Sequence, residues 1–169
     1  MKRTSQLARG SWLLAGLAVW AACGVDSSQP SSPCGPTRAL VQRVVDGDTI
    51  ALQDGRKVRY LLVDTPELSE GACFAQEAAD YNASLVQGRE VSLAYDPVEC
   101  RDRYGRLLAY VSVDGHEVNA MLVRDGYGCV GYLPPAGESR VEEFRALESE
   151  AIQARRGLWG VCAEVPCGF

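Results

Sequence analysis

With 169 residues, 22 Asp plus Glu against 17 Lys plus Arg, one histidine and seven cysteines, the chain has one domain's worth of core-forming sequence and an acidic balance. Such a surface repels polyanions at long range, which excludes nucleic-acid binding through a broad basic face. The single His116 argues against a Ser-His-Asp hydrolase and against a multi-histidine zinc site.

Lys2, Arg3 and Arg9 precede the apolar stretch Trp12 to Ala22, which has the length of an export-signal core and is too short to span a bilayer. Residues 1–22 are therefore expected to be a signal peptide, with the protein exported. The small residues before Cys23 in "VWAAC" resemble a bacterial lipoprotein processing site, although Trp20 is bulky for one. Acylation of Cys23 would give a lipid anchor in the envelope membrane; a plain secretory signal with one free thiol is the alternative. Loss of Lys2, Arg3 and Arg9 from the 17 basic residues leaves 14 against 22 acidic ones. Any action on nucleic acid then needs a local positive site, completed by a bound cation.

The other cysteines, Cys34, Cys73, Cys100, Cys129, Cys162 and Cys167, form an even set suited to disulfides in an oxidising compartment. Their spread disfavours zinc ligation. Cys73 with Cys100 is the expected pair, because each lies on a loop beside the candidate site. Residues 23–37 are rich in Ser and Pro and read as a tether, 38–160 as the domain, and 161–169 as a short Cys-containing tail.

Within the domain, 39–45, 48–53 and 56–64 are apolar, β-branched runs separated by "DGD" and "DGR", which predicts three consecutive strands. Ala75, Ala78, Ala79, Asn82, Leu85 and Val86 recur at helical spacing, so 75–87 is expected to be a helix stopped by Gly88. "REVSLAY" and "RLLAYVSV" supply two further strands across the polar loop 96–105. Val118, Met121 and Leu122 predict a short helix ending near Gly126. Val141, Phe144, Leu147, Ala151 and Ile152 share the face of another, with Gly157 placed to end it. The order points to a small β-barrel with packed helices, α+β and mainly β; a meander sandwich with peripheral helices is the alternative. His116 falls in a turn, and Tyr60, Tyr95, Tyr110 and Trp159 read as packing residues.

Carboxylates gather at the strand ends. Asp46 and Asp48 share a parity, so an extended chain points them the same way. Asp64 ends the run "YLLV", and Glu67 follows on a segment stiffened by Pro66. Arg59 and Asp64 have opposite parity and reach one site only if the strand bends or ends between them. "DRYGR" adds Arg106 directly after a tight turn. Oxygen ligands at strand ends suit a hard divalent cation, and arginines facing it can neutralise charge that develops on phosphate oxygens.

Taken in order, "VVDGDTI", "RYLLVDTPE", "DRYGRLLAYV", "VNAMLVRDGYGCVGY" and "EAIQARRGLWG" resemble the staphylococcal nuclease (thermonuclease) family, over about Val41 to Trp159. The resemblance implies a five-stranded OB-type barrel with three helices, in a monomer. It also implies a calcium-dependent, sugar-nonspecific endonuclease that hydrolyses DNA and RNA phosphodiesters. By it, Asp48, Asp64 and the Thr65 carbonyl hold Ca2+, with Asp46 as an outer acid. Glu67 orients or deprotonates the attacking water, Arg59 and Arg106 bind phosphate, and Tyr104 and Tyr132 lie beside the nucleotide. The loop "ELSEGACF" is shorter than the family's lysine-bearing loop and has no basic residue, and Pro134 stands where a second nucleotide-contacting tyrosine is expected. These departures imply weaker grip on long polyanions and a preference for short or single-stranded substrates. A noncatalytic OB-type nucleic-acid-binding module is the competing reading; it would have no need of Glu67.

Overall fold

The computed structural model describes residues 32–167. The expected signal segment 1–22 and the acylation site Cys23 lie outside the described residues. Among the described residues no helix is long and apolar enough to cross a membrane.

Strands β1 (Arg38–Asp46), β2 (Thr49–Leu52) and β3 (Lys57–Tyr60) form an antiparallel meander. The first turn is the Asp46-Gly47-Asp48 corner, and β1 is bulged at Val44/Asp46, a device that re-aims side chains at a barrel rim. After α1 (Ala75–Val86) come β4 (Glu90–Tyr95), paired with β1, and β5 (Leu107–Val113), paired with β4. β5 also pairs in parallel with β3. That pairing closes the five strands into a mixed barrel, so the barrel and not the sandwich is the architecture. A two-residue strand β6 (His116–Glu117) hangs on β5 and places His116, exposed, just past the Asp114-Gly115 turn.

Three helices follow the expected register, with corrections at their ends. Helix α1 buries Ala75, Ala78, Ala79, Asn82 and Val86 against β1, and α2 (Val118–Arg124) packs on β5 and on α3 (Val141–Gln153). Met121 is only half-buried and Ile152 is exposed, so neither belongs to the core face assigned from spacing. The chain turns after Gln153, and Gly157 opens a further short helix, α4 (Leu158–Val161). A Cβ on Gly157 would lie 2.1 Å from the Gly126 carbonyl oxygen, a backbone approach that only glycine permits.

One apolar cluster, including Val41, Ile50, Leu52, Val58, Leu107, Val111, Leu122 and Phe144, fills the barrel and the helix interface. Inside it, the fully buried Asn119 accepts from the Val111 N–H at 2.8 Å and donates to the carbonyls of Leu61 at 2.9 Å and Ala109 at 3.2 Å. This amide joins α2 to the β3–β5 seam. Asn119→Ala leaves buried backbone groups unpaired and is expected to lower unfolding free energy by about 3 kcal/mol, read by urea denaturation.

Three disulfides use all six expected cysteines: Cys34–Cys100, Cys73–Cys162 and Cys129–Cys167. The expected Cys73–Cys100 pair is not formed. The tail beyond α4 returns beside the site and takes Cys73, while Cys100 is taken by the end of the presumed tether. That end is docked: the Leu93 N–H donates to the Thr37 carbonyl at 2.8 Å and the Tyr95 hydroxyl to the Pro36 carbonyl at 2.8 Å.

Candidate active site

The bend that the sequence left open occurs. Strand β3 ends at Tyr60, and Leu62 adopts φ 60°, a left-handed conformation uncommon for a branched residue. Arg59 and Asp64 thereby face one cavity of about 510 Å³. Asp46, Asp48, Glu67, Tyr104 and Arg106 line the same cavity, which gathers residues from the β1–β2 corner, β3 and its extension, and the loop before β5.

The Asp46-Gly47-Asp48 corner is a turn and not extended chain, so the parity argument for its two acids does not hold. Instead, Asp46 accepts the Asp48 N–H at 3.1 Å. Asp48, 4% exposed, receives the Thr65 N–H at 2.9 Å and its hydroxyl at 3.1 Å on one oxygen, and the Thr49 hydroxyl at 3.0 Å on the other. Gly47 is required here: a Cβ would meet the Thr65 side chain at 2.6 Å. Asn82 reaches in from α1, donating to the Asp46 carbonyl at 3.2 Å and accepting the buried Tyr60 hydroxyl at 3.0 Å.

Arg59 lies between two acids. Its Nη2 donates to Asp64 Oδ1 at 3.1 Å, and its Nη1 forms an ion pair with Asp48 Oδ2 without hydrogen-bond alignment. Burial alone would lower the guanidinium's pKa; Asp48 and Asp64 outweigh it and raise it. Burial raises the Asp64 carboxyl, against the pull of Arg59. Burial first, then the charge of Asp48, pushes the Asp46 carboxyl up to about 7.

These shifts make a stability prediction. Asp46 and Asp64 bind protons more tightly folded than unfolded, so the native state gains from their protonation at low pH. That gain is lost as pH rises from the ordinary carboxylate range through about 7. Asp54 and Glu143 are held down by Arg56 and Arg140 and change state only below that window. Chelator-treated protein is thus expected to melt at a higher temperature at about pH 5 than at about pH 8, and Asp46→Asn should flatten the difference in a calorimetric scan.

On the opposite wall, Asp102 organises the "DRYGR" turn. Its Oδ1 accepts the N–H groups of Tyr104 and Arg106, both at 2.9 Å, and its Oδ2 accepts Arg106 Nε at 2.6 Å. Sequence reasoning passed over Asp102. The available signal was Asp at the first position of a tight turn closed by glycine. The Tyr104 ring is 68% exposed, with Arg103 and Arg106 at 4.8 and 5.4 Å from its centre. Glu67 is exposed at the head of a 3-10 turn, Leu68–Glu70, and its carboxylate has no hydrogen bond or ion pair among the described residues. Tyr132 is not brought to the cavity. It is half-buried against the core while its neighbours Gly131 and Leu133, with Pro134, form the wall.

The donor set suits a hard cation. Asp46, Asp48, Asp64 and Glu67 face the cavity with Arg59 as their counter-charge, since Arg106 is matched by Asp102. All offer oxygen, and the charge of Asp48 adds to burial in favouring protonation of Asp46. Among the described residues no three acidic, histidine or cysteine side chains converge on one point; the Arg59 fork fills the gap between Asp48 and Asp64.

Comparison with known proteins identifies the family. Residues 57–161 match the family described as Staphylococcal nuclease homologue. The chain is 39% identical over 126 residues to Endonuclease YncB of Bacillus subtilis (strain 168), covering 70% of this chain and 60% of that one. It is 36% identical over 126 residues to SPbeta prophage-derived endonuclease YokF of the same organism, covering 70% of this chain but 43% of that one. The chain therefore spans less than two thirds of either relative. A protein of Escherichia coli O157:H7 named Uncharacterized endonuclease is 35% identical over 143 residues, 79% of this chain and 84% of its own length. The closed mixed barrel, the family match over most of the domain and these relatives lead to one conclusion: this chain is a member of the staphylococcal nuclease family.

Proposed function

We propose that the chain is a calcium-dependent, sugar-nonspecific endonuclease that hydrolyses DNA and RNA outside the cytoplasm. The observation that carries the reading is the meeting of Asp48, Asp64, Glu67, Arg59 and Arg106 in one cavity although they are spread from position 48 to 106. The endonuclease names of the relatives support it.

Asp48 and Asp64, with the Thr65 carbonyl, would hold Ca2+, and Asp46 adds charge from behind. Calcium would supply electrostatic polarisation of the phosphate and order the nucleophile. The chain's own residues do the rest. Glu67 accepts a proton from the attacking water as its oxygen bonds to phosphorus. The opposite P–O ester bond breaks and its oxygen takes a proton from solvent, leaving one product with a terminal phosphate and the other with a hydroxyl. Arg106, aligned by Asp102, and Arg59, once drawn off the two acids, present planar forks to phosphate oxygens. The exposed Tyr104 ring stacks a base without reading its identity. Besides its arginines the groove wall carries Glu99, and the loop from Glu67 to Phe74 has no basic residue, which favours short or single strands over long duplex.

Three disulfides suit an exported, oxidised protein. Mass spectrometry of the mature N-terminus tests whether Cys23 carries a lipid. The central experiment is digestion of single- and double-stranded DNA and RNA across a calcium titration, then with chelator. Cleavage that saturates with calcium and stops in chelator supports the reading. Full activity in chelator rejects the metal's part, and tight binding without cleavage at every calcium level replaces the enzyme with a binding module.

A further inference from the structure

Glu67 has the most exacting task in the proposed reaction and the weakest hold. Its carboxylate is exposed and unpartnered among the described residues, so no side-chain contact orients it. The segment that follows buries nothing in its 3-10 turn. Its backbone bonds are long: Glu70 N–H and Ala72 N–H both reach the Glu67 carbonyl at 3.3 Å. Upstream, Thr65 is fixed on Asp48. Downstream, the 3-10 turn touches α1, Gly71 and Ala75 make local backbone bonds at 3.1 Å, and the ties to more distant segments are the contact of Phe74 with the Tyr127 ring, at 5.5 Å, and the Cys73–Cys162 disulfide.

The far end of that disulfide is firm. Cys162 caps α4, whose Leu158 is fully buried and donates its N–H to the Gly126 carbonyl at 2.9 Å. The barrel core forms by apolar packing and does not include this crosslink. By contrast, Asp64 has independent supports: mutual backbone bonds with Cys129 at 2.9 and 2.8 Å, and Arg59 on its carboxylate.

We infer that the Cys73–Cys162 crosslink is a positioning device for the catalytic reaction: it anchors the Glu67 loop to α4 and so holds the Glu67 carboxylate over the cavity. The inference rests on the nuclease reading above and adds a role for the C-terminal segment, whose Cys162 lies 89 residues beyond Cys73 along the chain.

The test is the paired variant Cys73→Ser with Cys162→Ser in the oxidised mature chain, assayed with calcium on a short DNA strand. Because small misplacements of a reacting group are costly, kcat should fall by about 10²-fold, with KM and the calcium-induced rise in melting temperature unchanged. In a Glu67→Gln background the same pair should cause no further loss of kcat. Amide exchange at 67–74 should quicken while β1–β5 stay protected. The matched pair Cys129→Ser with Cys167→Ser, beside the independently held Asp64, should lower kcat far less.

Unchanged kcat overturns the inference. So does an equal loss in the Glu67→Gln background, which would mean general damage. Should the serine pair not fold, the parent protein treated with a dithiol reductant is read by the same exchange and kcat measurements. If the parent cleaves neither DNA nor RNA at any calcium level, the nuclease reading fails on its own. Exchange at 67–74 then decides whether the crosslink holds the loop, and unchanged exchange overturns that as well.

Discussion

Glu67→Gln is expected to lower kcat by about 10³-fold while KM, calcium binding and melting temperature stay close to those of the parent. Gln keeps the size and polarity of the side chain but cannot accept the proton that the attacking water must release. Because the carboxylate is exposed and makes no hydrogen bond or ion pair among the described residues, its loss removes no structural support. The effect should therefore fall on kcat alone. Turnover within about tenfold of the parent would take Glu67 out of the chemistry.

Arg59→Ala should produce two effects that separate in one experiment. The side chain is 11% exposed and faces Asp48 and Asp64, themselves nearly buried. Removing the cation leaves those acids without their counter-charge, which should cost about 3 kcal/mol of stability in chelator. Calcium held at the site as proposed would favour the folded state and should restore much of it. Turnover should not be restored: a lost guanidinium on the transferring phosphate costs about 10³-fold in kcat. Denaturation curves with and without calcium, beside kcat at saturating calcium, test both parts. A variant as stable as the parent in chelator would show that Arg59 is not the acids' internal counter-ion.

Much of this arrangement is legible from residue order alone. The β-branched runs and Asp-Gly corners locate the barrel strands, and the alanine spacing of 75–86 locates α1, because those signals are local. What escapes is decided by contacts between distant segments. Nothing in Leu62 announces a left-handed backbone, yet that residue brings Arg59 and Asp64 to one cavity. Asn82 reads as an ordinary member of a helical face and Asn119 gives no local signal; their value lies in carbonyls far away in the chain. The cysteine pairing follows from where α4 returns, which no spacing rule contains. Tyr132 carries a matching motif, but the backbone at Gly131 to Pro134 turns Leu133 to the cavity wall instead. Asp102 could have been found from its turn position, since a carboxylate there commonly caps the following N–H groups.

The parallel pairing of β3 with β5 sets Arg59 opposite Leu108, two residues beyond Arg106. Both guanidinium-bearing segments thus belong to the two sides of one join, formed between stretches that are remote along the polypeptide. Contacts of that kind form late, after the nearby hairpins, because the intervening chain must first be ordered. A newly made or unfolded molecule accordingly has every side chain of the candidate site but no means of bringing them together. The candidate site is in that sense a property of topology, complete only when the barrel shuts.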